Sequence, residues 1–354
     1  MALENSYALW NNKGGVGKST ITFHLSMRYS ERHPQKKILV IDLCPQSNSS
    51  MMLLGGGTKG DEQVLKFCSM NLPRSVVGYT STVLSNGRGA NLPDPYDYVI
   101  QVSNYNKNAP DNLYLLCGDG NMEPMAPAIN EAANARPLTP SAQPWKWTLE
   151  VFRRFIEDIA SDENDWIVFV DTNPSFSIYT QMAIAAVDKL LTPINADDSS
   201  KTAASAMIAL LHGTNPPHPI YGSWTFAEMA KQQGIKIPKI HLLIGNRLTQ
   251  FEGPAAAFSA LSNATAAAMF DIYCKNPEYF DDAKKTVDSI EAFRECYSLP
   301  LRDFNTAGVV CGHLGRLLSS MKQGYYDIYS ERVKVNTKKI TECLNAIDEI
   351  VDRI

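Results

Sequence analysis

Residues Lys13-Gly14-Gly15-Val16-Gly17-Lys18-Ser19-Thr20 follow the short apolar run Tyr7–Trp10 and open a helical pattern over Ser19–Tyr29. Gly14, Gly15 and Gly17 carry no Cβ, so the backbone can turn its N–H groups inward around phosphate oxygens. The start of the following helix adds its dipole. Lys18 supplies a point charge to the outer phosphates, and the Ser19 hydroxyl is placed to ligate Mg²⁺. A glycine turn with a purely structural role would not need Gly-Lys-Ser at this spacing. The phosphate-binding set is therefore Gly14, Gly15, Val16, Gly17, Lys18, Ser19 and Thr20. Lys13 is the departure from the plain pattern G-x-x-x-x-G-K-[ST]. Asn12 stands where that pattern begins with glycine, and a lysine precedes the glycine pair.

Outward from the loop, short apolar runs alternate with helical patterns, the signature of a mostly parallel sheet covered on both faces. Strands are expected at Tyr7–Trp10, Lys37–Leu43, Tyr98–Val102, Leu113–Cys117, Trp166–Asp171, Lys189–Ile194 and Ile240–Gly245. Helices are expected at Ser19–Tyr29, Trp147–Ala160 and Thr337–Ile354, the last with Asn336 as its N-cap and Ile340, Leu344, Ile347, Val351 and Ile354 on one stripe. Gly55–Pro95 is rich in Gly, Ser, Asn and Pro, and Met122–Pro144 in Pro and Ala. Both read as loops or insertions, at about 55–95 and 119–145, within a single α/β domain spanning residues 1–354. The fold class is doubly wound, with a mostly parallel sheet and helices on both faces.

Three motifs in chain order resemble the deviant Walker A ATPases of the ParA/MinD family. Lys13–Thr20 is similar to that family's K-G-G-x-G-K-[ST]. Ile41-Asp42-Leu43-Cys44-Pro45-Gln46-Ser47-Asn48 resembles its switch I, I-D-x-D-P-Q-x-N. Val170-Asp171-Thr172-Asn173-Pro174-Ser175 resembles its Walker B strand and switch II, D-x-P-P-S. Weaker likenesses follow. Leu190–Pro193 matches a strand ending in proline, His241–Arg247 one ending in an adenine-reading asparagine (Asn246), and Leu299-Pro300-Leu301-Arg302 a segment that packs on the base. The resemblance spans about residues 7 to 320. It implies ATP and Mg²⁺ as cofactors, with Ser19, Asp42 and Asp171 around the metal and Asn246 and Pro300 at the base. It also implies that Lys13 reaches across a homodimer to the partner's nucleotide.

Two departures bear on catalysis. Cys44 stands where the family has its water-positioning aspartate, and a thiol of pKa about 8.5 is mostly neutral at pH 7 and a poor acceptor. Either hydrolysis is slow, or Asp42 or a partner's side chain helps; the bland reading of Cys44 is a small packing thiol. Asn173 replaces the first proline of switch II, which touches loop stiffness more than chemistry.

The wider composition sorts the remaining alternatives. The chain has 354 residues, 44% hydrophobic and 20% charged, with a formal net charge of −4, so any DNA contact must come from a local basic patch. Lys322, Arg332, Lys334, Lys338 and Lys339 are the candidates for non-specific DNA binding of the ParA kind, against the plainer reading of a solvated helix face. Asp348, Glu349 and Asp352 crowd the last turns, which argues against docking on anionic lipid. Seven cysteines without a C-x-x-C pair point to a reducing compartment, no apolar run of about 18 residues occurs, and no secretory leader is expected from Met1–Asn5. The expectation is a cytoplasmic, nucleoid-associated ATPase that is activated by a ParB-like or other partner and does not act on membranes. Small-molecule ligases and the nitrogenase iron protein share the fold class. The ligases generally lack the early lysine, and the iron protein's cysteine turns have no counterpart here.

Overall fold

The structure is a computed structural model that describes residues 3–354 apart from 138, 140–141, 163, 196–198, 215, 247–254, 283–284 and 302–303. Eight strands form the central sheet among the described residues: β1 Leu3–Leu9, β2 Lys37–Asp42, β3 Ile100–Gln101, β4 Leu113–Leu116, β5 Trp166–Asp171, β6 Lys189–Asn195, β7 Lys239–Asn246 and β8 Ser298–Pro300. Their order is β3-β4-β2-β5-β1-β6-β7-β8. Every pairing is parallel except β3 with β4.

The strand sequences dictate the two-sided core. Period-two alternation sends Leu39, Ile41, Val168 and Val170 to one face and Ile38, Val40, Ile167 and Phe169 to the other, and all are buried. One face is covered by helices that include Val151–Ile159 and Ile178–Ala186. The other is covered by Lys18–Arg32, Asn305–Leu314 and Thr337–Val351. The C-terminal helix is tied to Lys18–Arg32 by a bidentate pair, Arg28 to Asp348 at 2.7 and 2.8 Å, and by Arg32 to Asp352 at 2.7 Å. Two of the acids read as repelling lipid therefore clamp this helix to its neighbour.

Several expectations need correction. The strand expected over Tyr98–Val102 shrinks to two residues at the sheet edge, because 3₁₀ turns at Pro95–Asp97 and Val102–Asn104 flank it. Trp147–Ala160 splits at Glu150 into Pro144–Leu149 and Val151–Ile159. The supposed loops are largely helical, at Gly57–Cys68, Val76–Asn86 and Met122–Ala133. Their apolar positions do follow helical spacing, with Val64 and Phe67 buried on one and Val76, Tyr79 and Val83 on the next. Glycine masks that signal, yet there it serves close packing. A Cβ at Gly60 would lie 2.0 Å from the Met51 carbonyl oxygen, and one at Gly78 1.9 Å from that of Pro73. An antiparallel hairpin, β9 Gly324–Ile328 with β10 Glu331–Val335, occupies a stretch for which the sequence suggested no element.

Candidate nucleotide site

The phosphate-type loop leaves the C-terminal end of β1 at the middle of the sheet, where ligands of open α/β sheets gather. Its entrance is fixed by hydrogen bonds: Trp10 N donates to Leu191 O at 3.1 Å, and Asn11 Nδ2 to Pro193 O at 2.8 Å. Asn11 Oδ1 accepts from Lys13 N at 3.0 Å, which begins the turn. Gly15 and Gly17 take φ of +71° and +86°, and the helix Lys18–Arg32 starts directly after. Side chains other than glycine rarely adopt those angles. Val16 is fully buried and anchors the loop, whereas Gly14 and Gly15 are exposed at its crest. Ser19 and Thr20, half-buried, begin the helix.

Lys18 is buried, and its Nζ donates to Asn11 O at 3.3 Å and Lys13 O at 3.2 Å. Burial lowers its pKa, opposed by the nearby Asp171 carboxylate and by Cys44. The ammonium is thus held inside the loop by two backbone carbonyls, contacts that an incoming phosphate can replace with stronger ones between full charges.

Asp42 and Asp171 close β2 and β5 in direct register, with Leu9 of β1 on the other side of Asp171. Both carboxyls are fully buried, and burial raises the pKa of each; the charge of Asp42 pushes Asp171 further up. Their surroundings differ. Asp42, expected as a metal ligand, has both oxygens engaged: Oδ1 accepts from Cys44 N at 3.1 Å, and Oδ2 from Ser50 N at 2.9 Å and Ser50 Oγ at 2.7 Å. Ser50 Oγ in turn accepts from Gly118 N at 2.8 Å. Asp42 therefore anchors the turn that follows β2. Asp171 Oδ1 accepts from Thr172 N at 3.0 Å, but Oδ2 is buried without a hydrogen-bond partner. The hydroxyls of Ser19 and Ser49 face Asp171. A buried carboxylate oxygen without a well-formed hydrogen bond among the described residues, faced by two hydroxyls, is the donor set that a hard divalent cation accepts. The residues present fit Mg²⁺.

Cys44 reaches this cluster by a turn, since β2 ends at Asp42. The turn is closed by Cys44 N on Asp42 and by Ser47 N donating to Cys44 O at 2.8 Å. Burial, then the charges of Asp171 and Asp42, push its thiol up to about 12, so it is neutral. Ser47 sits at φ +51° and leads into the helix Asn48–Leu53. In switch II, Asn173 Nδ2 donates to Tyr179 Oη at 3.1 Å, a restraint on the loop where the family has proline.

Sequence reasoning missed Asn11, Ser49 and Ser50. The run Ser47-Asn48-Ser49-Ser50 after the Pro-Gln pair was a visible signal, because small hydroxyls there can reach back to the strand ends. The base-reading candidates are only partly visible. Asn246 closes β7 opposite Asn195, and Pro300 pairs with Gly245, but their side chains and Arg302 lie outside the described residues. Lys322, Arg332 and Lys334 lie on or beside the hairpin, not on a helix face. Lys338 and Lys339 occupy the first turn of the C-terminal helix. Gln323 and Thr337 are joined at 3.3 Å, which brings the two groups to one corner. The Arg332 guanidinium and the Lys334 ammonium lie 5.0 and 6.0 Å from the centre of the Tyr325 ring. Lys339 is paired with Glu342 at 3.3 Å.

The AAA_31 family, described as an AAA domain, matches residues 5–215, more than half of the chain. The chain belongs to that family. No curated protein matches it in sequence. Among solved structures, apo McdA from Cyanothece is similar over 98% of each chain at 15% identity, with a TM-score of 0.57. A putative plasmid partition protein from Borrelia burgdorferi B31, bound to AMPPNP, is similar over 99% of each chain at 14% identity and a TM-score of 0.53. The ParA protein of pNOB8 is similar over 83% of this chain and 80% of its own, at 16% identity and a TM-score of 0.51. At these identities the likeness is one of fold.

Proposed function

We propose that this chain is an ATP-driven dimerisation switch of the ParA kind, which binds Mg·ATP, closes into a homodimer around it and holds DNA non-specifically to position a cargo. The observation that carries the reading is the buried Lys18 facing Asp171, whose second carboxylate oxygen has no well-formed hydrogen bond among the described residues. The McdA structures include an ATP complex, and the Borrelia protein holds an ATP analogue. By this reading the amides of Gly14–Thr20 bind the phosphates, and Lys18 exchanges its two carbonyls for phosphate oxygens. Ser19 and Asp171 hold Mg²⁺, which supplies charge neutralisation when bound. Asp42 keeps Cys44–Ser50 in place over the site and is a positioning residue. Asn246 and Pro300 take the adenine edge and face.

Lys13 acts across the dimer. Its backbone is held by Asn11 at the mouth of the loop, from which the side chain can extend to a second copy's phosphates. Lys13→Ala is expected to keep nucleotide binding within a few-fold while losing ATP-driven dimers. Light scattering with ADP, ATP and a slow analogue measures this, and persistent dimers would remove the main support for the trans role.

DNA binding is supported by where the basic residues lie. The first helical turn at Lys338 and Lys339 contains no acid, although the helix dipole favours negative charge there. A phosphodiester would relieve that conflict. Changing Lys334, Lys338 and Lys339 to glutamate is expected to abolish duplex binding and spare dimerisation. If two copies make about 6–10 phosphate contacts, wild-type affinity falls by about 10³–10⁵ between 50 and 200 mM salt. Sedimentation with and without duplex DNA tests both points, and salt-independent binding would contradict them. A ParB-like or other partner protein would stimulate hydrolysis and reset the switch. Cys44, a neutral thiol, also favours a second reading, in which the chain is an ATP-gated scaffold that hydrolyses little.

A further inference from the structure

The turn held by Asp42 has a second neighbour that the nucleotide reading does not use. Helix Gly57–Cys68 ends with Cys68, which is half-buried, and its Sγ donates to Gly118 O at 3.4 Å. The chain then folds back. Arg74 N donates to Phe67 O at 3.1 Å, and Val76 N to Cys117 O at 2.8 Å, while Ser75 bridges to Cys117. These bonds press the end of that helix onto the end of β4. The Cys117 thiol is fully buried, with the Cys68 thiol and the Ser50 hydroxyl as neighbours. Ser50 is the residue through which Asp42 holds the turn, and Gly118, next to Cys117, donates to Ser50 Oγ.

We propose that Cys68 and Cys117 form a reversible disulfide that, by moving Cys117 and Gly118 off Ser50, releases the Cys44–Ser50 turn and shuts down the nucleotide site. The oxidant is a small-molecule disulfide. The Cys68 thiolate attacks one of its sulfurs, and the S–S bond breaks with one small thiolate leaving on its electron pair. Cys117, losing its proton to solvent, then attacks the Cys68 sulfur and expels the second small thiol. Two protein thiols are oxidised by two electrons, and one small disulfide is reduced to two thiols. Cys68 is the entry point because it is the accessible member. The Cys68 thiol and burial hold Cys117 well above the usual thiol range, so the closing step is the slow one and quickens as pH rises. Closure requires the sulfurs to come to about 2.05 Å, and Gly118, next to Cys117, holds the two hydrogen bonds that this movement disturbs, one from Cys68 and one to Ser50. Such a pair differs from a structural disulfide: it is reduced at rest and joins two elements that already touch.

The experiment uses the full chain, incubated with oxidised glutathione at pH 8 and then split in two. One half is digested without reduction and mapped for a Cys68–Cys117 cross-linked peptide. The other is titrated with a fluorescent ATP analogue and Mg²⁺, before and after dithiothreitol. The expected result is the 68–117 peptide as the main cross-link, with at least tenfold weaker analogue binding that reductant restores. Cys68→Ser should bind the analogue like the wild type and become insensitive to the oxidant. Glutathione carried on Cys68 with no link to Cys117, or a complete 68–117 link with unchanged analogue affinity, overturns the proposal. The inference rests on the nucleotide reading only for its functional half. Failure of the reduced protein to bind any analogue would refute that reading and with it the shut-down, whereas the peptide map judges the disulfide separately.

Discussion

Lys18→Ala is expected to lose nucleotide affinity by about 3–5 kcal/mol, roughly two to four orders of magnitude in Kd, because charge-assisted hydrogen bonds in a shielded site contribute about 1.5–3 kcal/mol each. Without phosphate the Lys18 ammonium rests on two carbonyls, those of Asn11 and Lys13, in a setting where burial already disfavours its charge. Truncation therefore costs the apoprotein little and the complex much. Lys18→Gln is the companion variant: its amide can still donate to Asn11 O but brings no charge. Both variants should melt within a few degrees of the wild type and bind ATP weakly by isothermal titration. Unchanged affinity in either would mean that the nucleotide sits elsewhere.

The second large effect concerns Cys44. Burial and the nearby charges of Asp171 and Asp42 push its thiol to about 12, so it is neutral at any working pH. A neutral thiol orients or deprotonates water poorly, and the loss of a positioned general base typically costs about 10²–10⁴ in rate. The wild type is expected to turn over slowly, and Cys44→Asp to raise single-turnover phosphate release by at least tenfold, with ATP affinity within a few-fold. The same substitution adds a third carboxylate to two that are fully buried. The apoprotein should therefore become less stable, and Mg·ATP should restore much of the loss. Cys44→Ser should change neither rate nor stability greatly, since a hydroxyl is no better as a base. A brisk wild type slowed by Cys44→Asp would assign the water to another residue.

The two substitutions probe parts of the site that were unequally legible in the sequence. The glycine loop is local chemistry. Glycines that tolerate positive φ, a lysine and a hydroxyl at the head of a helix are specified within eight residues, so the motif and its place after a strand could be read directly. The central strands were nearly as plain, because a strand buried on both faces must be apolar throughout, and Trp166–Asp171 came out with the expected bounds; the short edge strands Ile100–Gln101 and Ser298–Pro300 were not. Helices Gly57–Cys68 and Val76–Asn86 were not, because their glycines signal loops in isolation and make sense only against the backbones of Met51 and Pro73.

By itself, then, the sequence determined the fold class, the glycine loop between β1 and its helix, and the acids that end β2 and β5. Only the tertiary structure decided how those acids divide their work. Asp42 and Asp171 look alike in the chain, each ending an apolar run. In the folded protein Ser50, brought back by the turn after β2, occupies Asp42, whereas the second oxygen of Asp171 has no well-formed hydrogen bond among the described residues and is faced by the Ser19 and Ser49 hydroxyls. The tertiary structure likewise brought Cys68 beside Cys117 and divided the basic residues between a hairpin and a helix start. The reason is the same in each case. Hydrogen bonds and contacts between residues far apart in the chain depend on which elements the core packs together, and local sequence encodes the elements but not their neighbours.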